Sequence, residues 1–243
     1  MEKKIPPIIW ALIIGVPILI TLPVLLGYTA SSPPTQLFMG FDFIDDFHYY
    51  GNYIHSYQQN PLDLFVENRA TTEPQDGRFF FPYFWVMGLF STLIGIPLAF
   101  ALIRLITAAL LLLVLWEILG YFFAESTWRK TAFVLAALGA GFGWITKVGS
   151  LLIPSLGNLY STDLTYSLGY TLFGYLSFPL SIAGEALFLF AFLQLLRFHE
   201  DQKPRHVLLF ACSIVGIFFV HPISAITFFP VFILDNMTFN FMR

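Results

Sequence analysis

The stretch Asp42-Phe43-Ile44-Asp45-Asp46-Phe47-His48-Tyr49-Tyr50 concentrates ionisable groups in a chain that has few of them. The chain is 57% hydrophobic and 11% charged. Yet the segment from Thr29 to Arg78 holds seven of the 15 carboxylates: Asp42, Asp45, Asp46, Asp63, Glu67, Glu73 and Asp76. Within it only Arg69 and Arg78 offset them. Acids gathered beside a membrane surface suit a metal ion or a proton transfer. Their spacing is helical. Asp45, His48, Asn52, His55 and Gln59 follow one side, and Phe47, Tyr50, Ile54 and Tyr57 another. This predicts an amphipathic helix over about 44–59, lying on the membrane surface with its aromatics at headgroup depth. Asp42 is the expected N-cap, and Asn60-Pro61 ends the helix.

Other ionisable groups stand in apolar surroundings. Arg104 lies inside an apolar run, where a charge is costly unless it snorkels or faces a polar cavity. Glu185 lies deep in another such run, and Asp163 sits in an aromatic loop over 154–174. His221-Pro222 stands between two apolar segments.

These groups must be positioned by membrane helices. A mean hydropathy of +0.75 and apolar runs of about 18 residues or more indicate an all-α, polytopic helical membrane protein. The 29 phenylalanines suit a lipid-facing surface, where a soluble one would aggregate. The single Cys212 excludes a disulfide framework within the chain, and the absence of a basic stripe excludes nucleic acid as a partner.

Apolar segments cover 5–28, 79–96, 98–124, 131–153, 175–198, 207–220 and 222–239. The first is too long for a cleavable signal peptide and reads as a signal anchor. Lys3 and Lys4 place the N-terminus in the cytoplasm, and the acidic loop 29–78 is then extracytoplasmic. Arg129, Lys130, Arg197, Lys203 and Arg205 mark two cytoplasmic connectors. That assignment is consistent if 79–96, which carries Pro82, Gly88 and Gly95, is re-entrant; six true spans remain, or seven if it crosses fully. In the six-span arrangement Asp45, Asp46, Asp163 and His221 share one side of the membrane. Gly139 and Gly143 have the spacing of a close helix–helix contact.

The order of motifs resembles the GT-C superfamily of membrane glycosyltransferases, nearest to the protein O-mannosyltransferase and aminoarabinose-transferase type. The paired acids before aromatics are Asp45-Asp46-Phe47-His48-Tyr49-Tyr50. The Pro-containing aromatic entry into the membrane is Phe79-Phe80-Phe81-Pro82-Tyr83-Phe84-Trp85. Ala101-Leu102-Ile103-Arg104-Leu105, Asp163-Leu164 and His221-Pro222 follow in the same order. Asp76-Gly77-Arg78 stands where the family carries Lys-Pro-Pro. The chain reads as a single transmembrane module over 1–243, the N-terminal part of a longer enzyme.

The resemblance implies a polyprenyl-phosphate-linked sugar as donor, a lipid, glycan or protein acceptor, and location in the plasma membrane. It assigns Asp45 and Asp46 to catalysis, with Asp45 as general base. It assigns Arg78, Arg104 and His221 to the donor phosphate. A divalent metal ion would be held by Asp45, His48 and Asp163. Two other classes compete. A transporter or channel would use Arg104, Glu117 and Glu185 along a path through the membrane. A non-catalytic lipid-binding subunit would need none of this chemistry.

Overall fold

The computed structural model describes residues 4–30, 44–67, 73, 76–77, 82–139, 153 and 179–220. The described residues form α1 (Pro7–Ala30), α2 (Ile44–Gln59), α3 (Pro82–Ile94), α4 (Ile96–Phe122), α5 (Ser126–Leu138), α6 (Pro179–Asp201) and α7 (Pro204–Val220). Three helices are long and apolar enough to cross a membrane, over Pro7–Gly27, Ile96–Phe122 and Leu180–Asp201. At 1.5 Å per residue α4 measures about 40 Å, against roughly 30 Å of hydrocarbon. Pro82–Ile94 and Pro204–Val220 are apolar but shorter. The six or seven segments read from hydropathy thus become, among the described residues, three full-length helices and two short apolar ones.

The segment 79–96 is shorter as a helix than as an apolar run, for a local reason. Gly95 adopts φ +80, a conformation that L side chains rarely take, and Pro97 follows within the first turn of α4. The break leaves no backbone group stranded. Gly95 N donates to Ser91 O at 2.9 Å, and Ala99 N donates to Gly95 O at 3.0 Å. α3, about 20 Å long, then folds back along the first half of α4, placing Phe84 and Met87 in one cluster with Phe100 and Ile103.

The expected segment 131–153 is interrupted as well. α5 ends at Leu138, and Gly139 leaves helical geometry with φ −57 and ψ 107. A Cβ on Gly139 would stand 2.7 Å from Leu135 O. Gly139 therefore closes α5. Gly143 and the run 222–239 lie outside the described residues.

Among the described residues two large cores form, with a smaller cluster of Ala191 and Ile217 between α6 and α7. In the larger, Ile9, Ile13, Val16 and Ile20 of α1 meet Ala108, Leu111, Leu112 and Trp116 of α4. Phe133 and Ala137 of α5 and Ile182 and Ala186 of α6 complete it. The α1 residues recur every three or four positions, one stripe of a helix that is apolar all round. Its other face, including Ile14, Leu22 and Leu26, is exposed, as a lipid-facing side requires. The second core gathers α2, α3, the start of α4, Leu180 and Ala183 of α6, and Val220 at the end of α7.

Polar contacts mark the opposite end of the bundle. Arg197 of α6 pairs with Glu117 of α4 at 3.3 Å, and the Tyr121 hydroxyl donates to Glu200 at 3.1 Å. Arg129, expected as a connector charge, folds back and is buried. Its Nε and Nη2 donate to Trp116 O at 3.2 and 2.7 Å, and its guanidinium lies 3.9 Å from the Trp116 ring centroid. The turn Gln202–Lys203 joins α6 to α7. There Asp201 pairs with Lys203 at 2.7 Å, while His206 lies 3.3 Å from Asp201 and 2.8 Å from Gln194.

Candidate functional site

Arg104 is the most unusual side chain in the second core. It is 0% exposed, on the α4 face that carries Phe100, Ile103 and Thr107. Its Nε, Nη1 and Nη2 are buried and have no hydrogen-bond partner among the described residues. The nearest π surface is Phe100, whose ring centroid lies 5.4 Å from Cζ. Beside it, the Tyr83 hydroxyl of α3 hydrogen-bonds Thr107. The Thr107 hydroxyl is itself spent on Ile103 O at 2.8 Å and Arg104 O at 3.1 Å. Neither hydroxyl hydrogen-bonds the guanidinium. A buried cation without a hydrogen-bond partner costs about 3–5 kcal/mol, so a compensating group is expected beside it.

α2 and α3 form the layer over this region. The helix expected over 44–59 runs Ile44–Gln59. Ile54 and Tyr57 are fully buried, while Asn52 and Gln59 are exposed, so the apolar face is the one the spacing marks. Its cover is protein. Tyr50 and Tyr53 place their rings 5.0 and 5.8 Å from Phe84, and Gln58 Nε2 donates to Ser91 O at 2.8 Å. Tyr57 packs on Gly88. Headgroup-depth burial of these aromatics is thus replaced, for the described ones, by contact with α3.

The same contacts dock α2 on α3: Tyr50 lies at Phe84, Tyr57 at Gly88 and Gln58 at Ser91, while Trp85 Nε1 donates to Pro61 O just past the end of α2. Asp45 and Asp46 are the second and third residues of α2. Asp45 and His48 sit three positions apart on α2, on one side of the helix.

The side chains of Asp45, Asp46 and His48 lie outside the described part of the structure. Asp42, Arg78, Asp163 and His221 lie outside the described residues altogether. Val220, the residue before His221, packs against the second core. Among the described residues, no group of three or more His, Cys, Asp or Glu is placed to hold a metal ion.

Among the described residues no ion pair joins the three groups that would mark a transport path. Glu117 is paired with Arg197 at the opposite end of α4 from Arg104. Glu185 is half-buried on α6 and forms no ion pair with Arg104.

Sequence reasoning missed three contributors: Tyr83, Thr107 and Gly88. The signal for Tyr83 and Thr107 was faint, a polar atom on each of two apolar segments. Gly88 was visible only as a helix-weakening residue. Comparison with known proteins finds no family model, no curated protein and no solved structure that matches this chain.

Proposed function

We propose that the chain is the membrane module of a glycosyltransferase that moves a sugar from a polyprenyl-phosphate-linked donor to an extracytoplasmic acceptor. The observation that carries this reading is Arg104: a fully buried guanidinium with no hydrogen-bond partner among the described residues, in the core on which α2 packs. A buried cation that lacks an anion suits a phosphate that arrives with its substrate.

In this reading Asp45 accepts the proton of the acceptor hydroxyl. The hydroxyl oxygen attacks C1 of the sugar from the face opposite the phosphate. The C1–O bond breaks, its electron pair leaves with the phosphate oxygen, and configuration inverts. The departing phosphate gains negative charge as the bond lengthens. Arg104 therefore binds it more strongly in the transition state than in the ground state, which is what accelerates the step. Arg78 and His221 are assigned to the same phosphate by resemblance alone. Asp45, His48 and Asp163 would hold a divalent metal, which would help neutralise that phosphate when bound.

The charge distribution supports an orientation. Arg129, Arg197, Lys203 and Arg205 lie at the bundle end opposite α2 and α3. By the positive-inside rule that end would face the cytoplasm of a plasma-membrane protein, as Lys3 and Lys4 would place the N-terminus.

The test is reconstitution of the protein in liposomes with a radiolabelled polyprenyl-phosphate sugar and a hydroxyl acceptor. Transfer that requires Asp45 and Arg104 is the expected result. Ion or solute flux without transfer, dependent on Arg104 and Glu185, would overturn the reading in favour of a transporter. Lipid binding with no transfer under any donor would leave a non-catalytic subunit.

A further inference from the structure

A pocket of about 430 Å³ opens at the other end of α2, between its last turn and the segment Asp63–Glu67. This volume falls within the roughly 300–1,000 Å³ of small-molecule sites. Its floor is buried: Ser56 is 4% and Val66 6% exposed. Its rim consists of Asn60, Asp63, Phe65 and Glu67, all exposed. Gly77 closes one side, and a Cβ there would stand 3.2 Å from Phe65 O, so a larger residue would press into the wall.

The wall is held in place by contacts from outside it. Tyr57 donates its hydroxyl to Leu64 O at 3.3 Å, and Trp85 Nε1 donates to Pro61 O at 2.9 Å. Both anchors come from buried or half-buried aromatics of the α2–α3 layer, so the pocket is attached to that layer.

The chemistry of the lining is selective. Ser56 already donates its hydroxyl hydrogen to Asn52 O at 2.9 Å, which leaves its oxygen as an acceptor. One oxygen of Asp63 accepts from Phe65 N at 2.9 Å, and the other remains for a ligand. Glu67 adds a second carboxylate and Asn60 a carboxamide. The pocket therefore offers mostly acceptors, beside an apolar floor and an aromatic ring. Among the described residues the lining carries carboxylates and no cation, unlike the surroundings of Arg104. A sugar ring matches this set: hydroxyl donors around the edge, and C–H faces for Val66 and Phe65.

We propose that this pocket binds a neutral sugar unit of a glycan chain. Its assignment to the acceptor rests on the glycosyl-transfer reading; the binding itself does not. Ser56 stands ten residues from Asp46 along α2, about 15 Å. A sugar held here reaches a reaction at Asp45 only through further linked units. The acceptor is then an extended glycan, gripped away from its reacting hydroxyl.

The experiment is saturation-transfer NMR on the protein in lipid nanodiscs, with mannotriose and maltotriose as probes. Spermidine and calcium are tested separately by calorimetry. Saccharide signal is expected for the unaltered protein. Glu67→Gln and Phe65→Ala should each weaken it about tenfold, the scale of one lost charged hydrogen bond or ring contact. Arg104→Gln should leave it unchanged. Glu67→Gln alters only an exposed rim group, so loss of folding does not confuse the result. No saccharide signal, saccharide signal indifferent to both rim variants, or binding of spermidine or calcium alone would each overturn the proposal. Transfer activity separates the two readings. Saccharide binding without any transfer removes the transferase reading and leaves this one. Transfer without saccharide binding here does the reverse.

Discussion

Tyr57 of α2 rests directly on Gly88 of α3, closely enough that no side chain fits between them. A Cβ on Gly88 would collide with Tyr57 Cβ and lie 3.1 Å from the Tyr57 carbonyl carbon and 3.2 Å from Gln58 N. The obstacle is mostly backbone and the root of a side chain, which no rotamer change relieves. This approach sets the height of α2 over α3, and with it the position of the acid pair at the start of α2.

Gly88→Val should therefore separate α2 from α3 and expose Ile54 and Tyr57. Overpacking of this kind costs about 1–3 kcal/mol. Thermal unfolding in detergent micelles measures it, with Gly15→Val as the control, because nothing lies within 4 Å of a Cβ at Gly15. Equal stability of the two variants would show that α2 is not docked in this way.

The helical period of α2 was legible because its apolar and polar positions separate cleanly, as buried Ile54 and Tyr57 and exposed Asn52 show. What covers that face was not legible, because a stripe of aromatics suits lipid headgroups and a protein neighbour equally. The end of α5 at Leu138 was hidden for a different reason. Hydropathy stays high through 131–153, and the stop is a backbone property of Gly139. Arg129 read as a topogenic charge because its partner, Trp116 O, lies 13 residues away across a turn. At the site, Arg104 stood out as a charge in an apolar run. That all three of its nitrogens lack hydrogen-bond partners among the described residues is a property of the packing and has no sequence signature.

Arg129 joins the start of α5 to the last turns of α4, and Gly120 leaves room for it. A Cβ on Gly120 would stand 2.8 Å from the guanidinium carbon. Arg129→Ala removes two hydrogen bonds to Trp116 O and a stacked cation, a loss of about 2–4 kcal/mol. Arg129→Lys keeps the charge but not the fork, and should recover only part of the loss. Unfolding midpoints for the two variants check this. Because Arg129 is distant from Arg104 and α2, neither variant should change the KM for a polyprenyl-phosphate donor once folded.

Arg104 should behave in the opposite way. With no donor present, Arg104→Met replaces a buried charge that has no hydrogen-bond partner among the described residues with an apolar side chain of similar reach, so thermal stability should stay level or rise. With polyprenyl phosphate added, the unaltered protein should gain stability. A ligand at a hundred times its Kd contributes about 2.7 kcal/mol, and Arg104→Met should lose most of that gain. Paired melting curves, with and without polyprenyl phosphate, give both numbers. A variant destabilised without ligand and still stabilised by it would mean that Arg104 is structural and the phosphate binds elsewhere.

The acid pair gives the most direct test of the chemistry. Asp45→Asn keeps the size of the side chain and much of its hydrogen bonding, but an amide cannot take a proton as a carboxylate does. General base catalysis contributes about 10²–10⁴-fold, so transfer from a polyprenyl-phosphate sugar should fall by that factor in kcat with the donor KM little changed. Asp46→Asn should also reduce transfer if the two acids share a metal, and raised metal concentration should then restore part of it. Folding is checked on the same samples by the melting curve, since α2 stays docked through Ile54 and Tyr57 whatever stands in its first turn. The two variants together decide between a reacting pair and a pair that merely stabilises the start of a helix. In the second case both amides would retain normal transfer, because a helix N-terminus tolerates the loss of a single carboxylate at a cost of only about 0.3–1 kcal/mol.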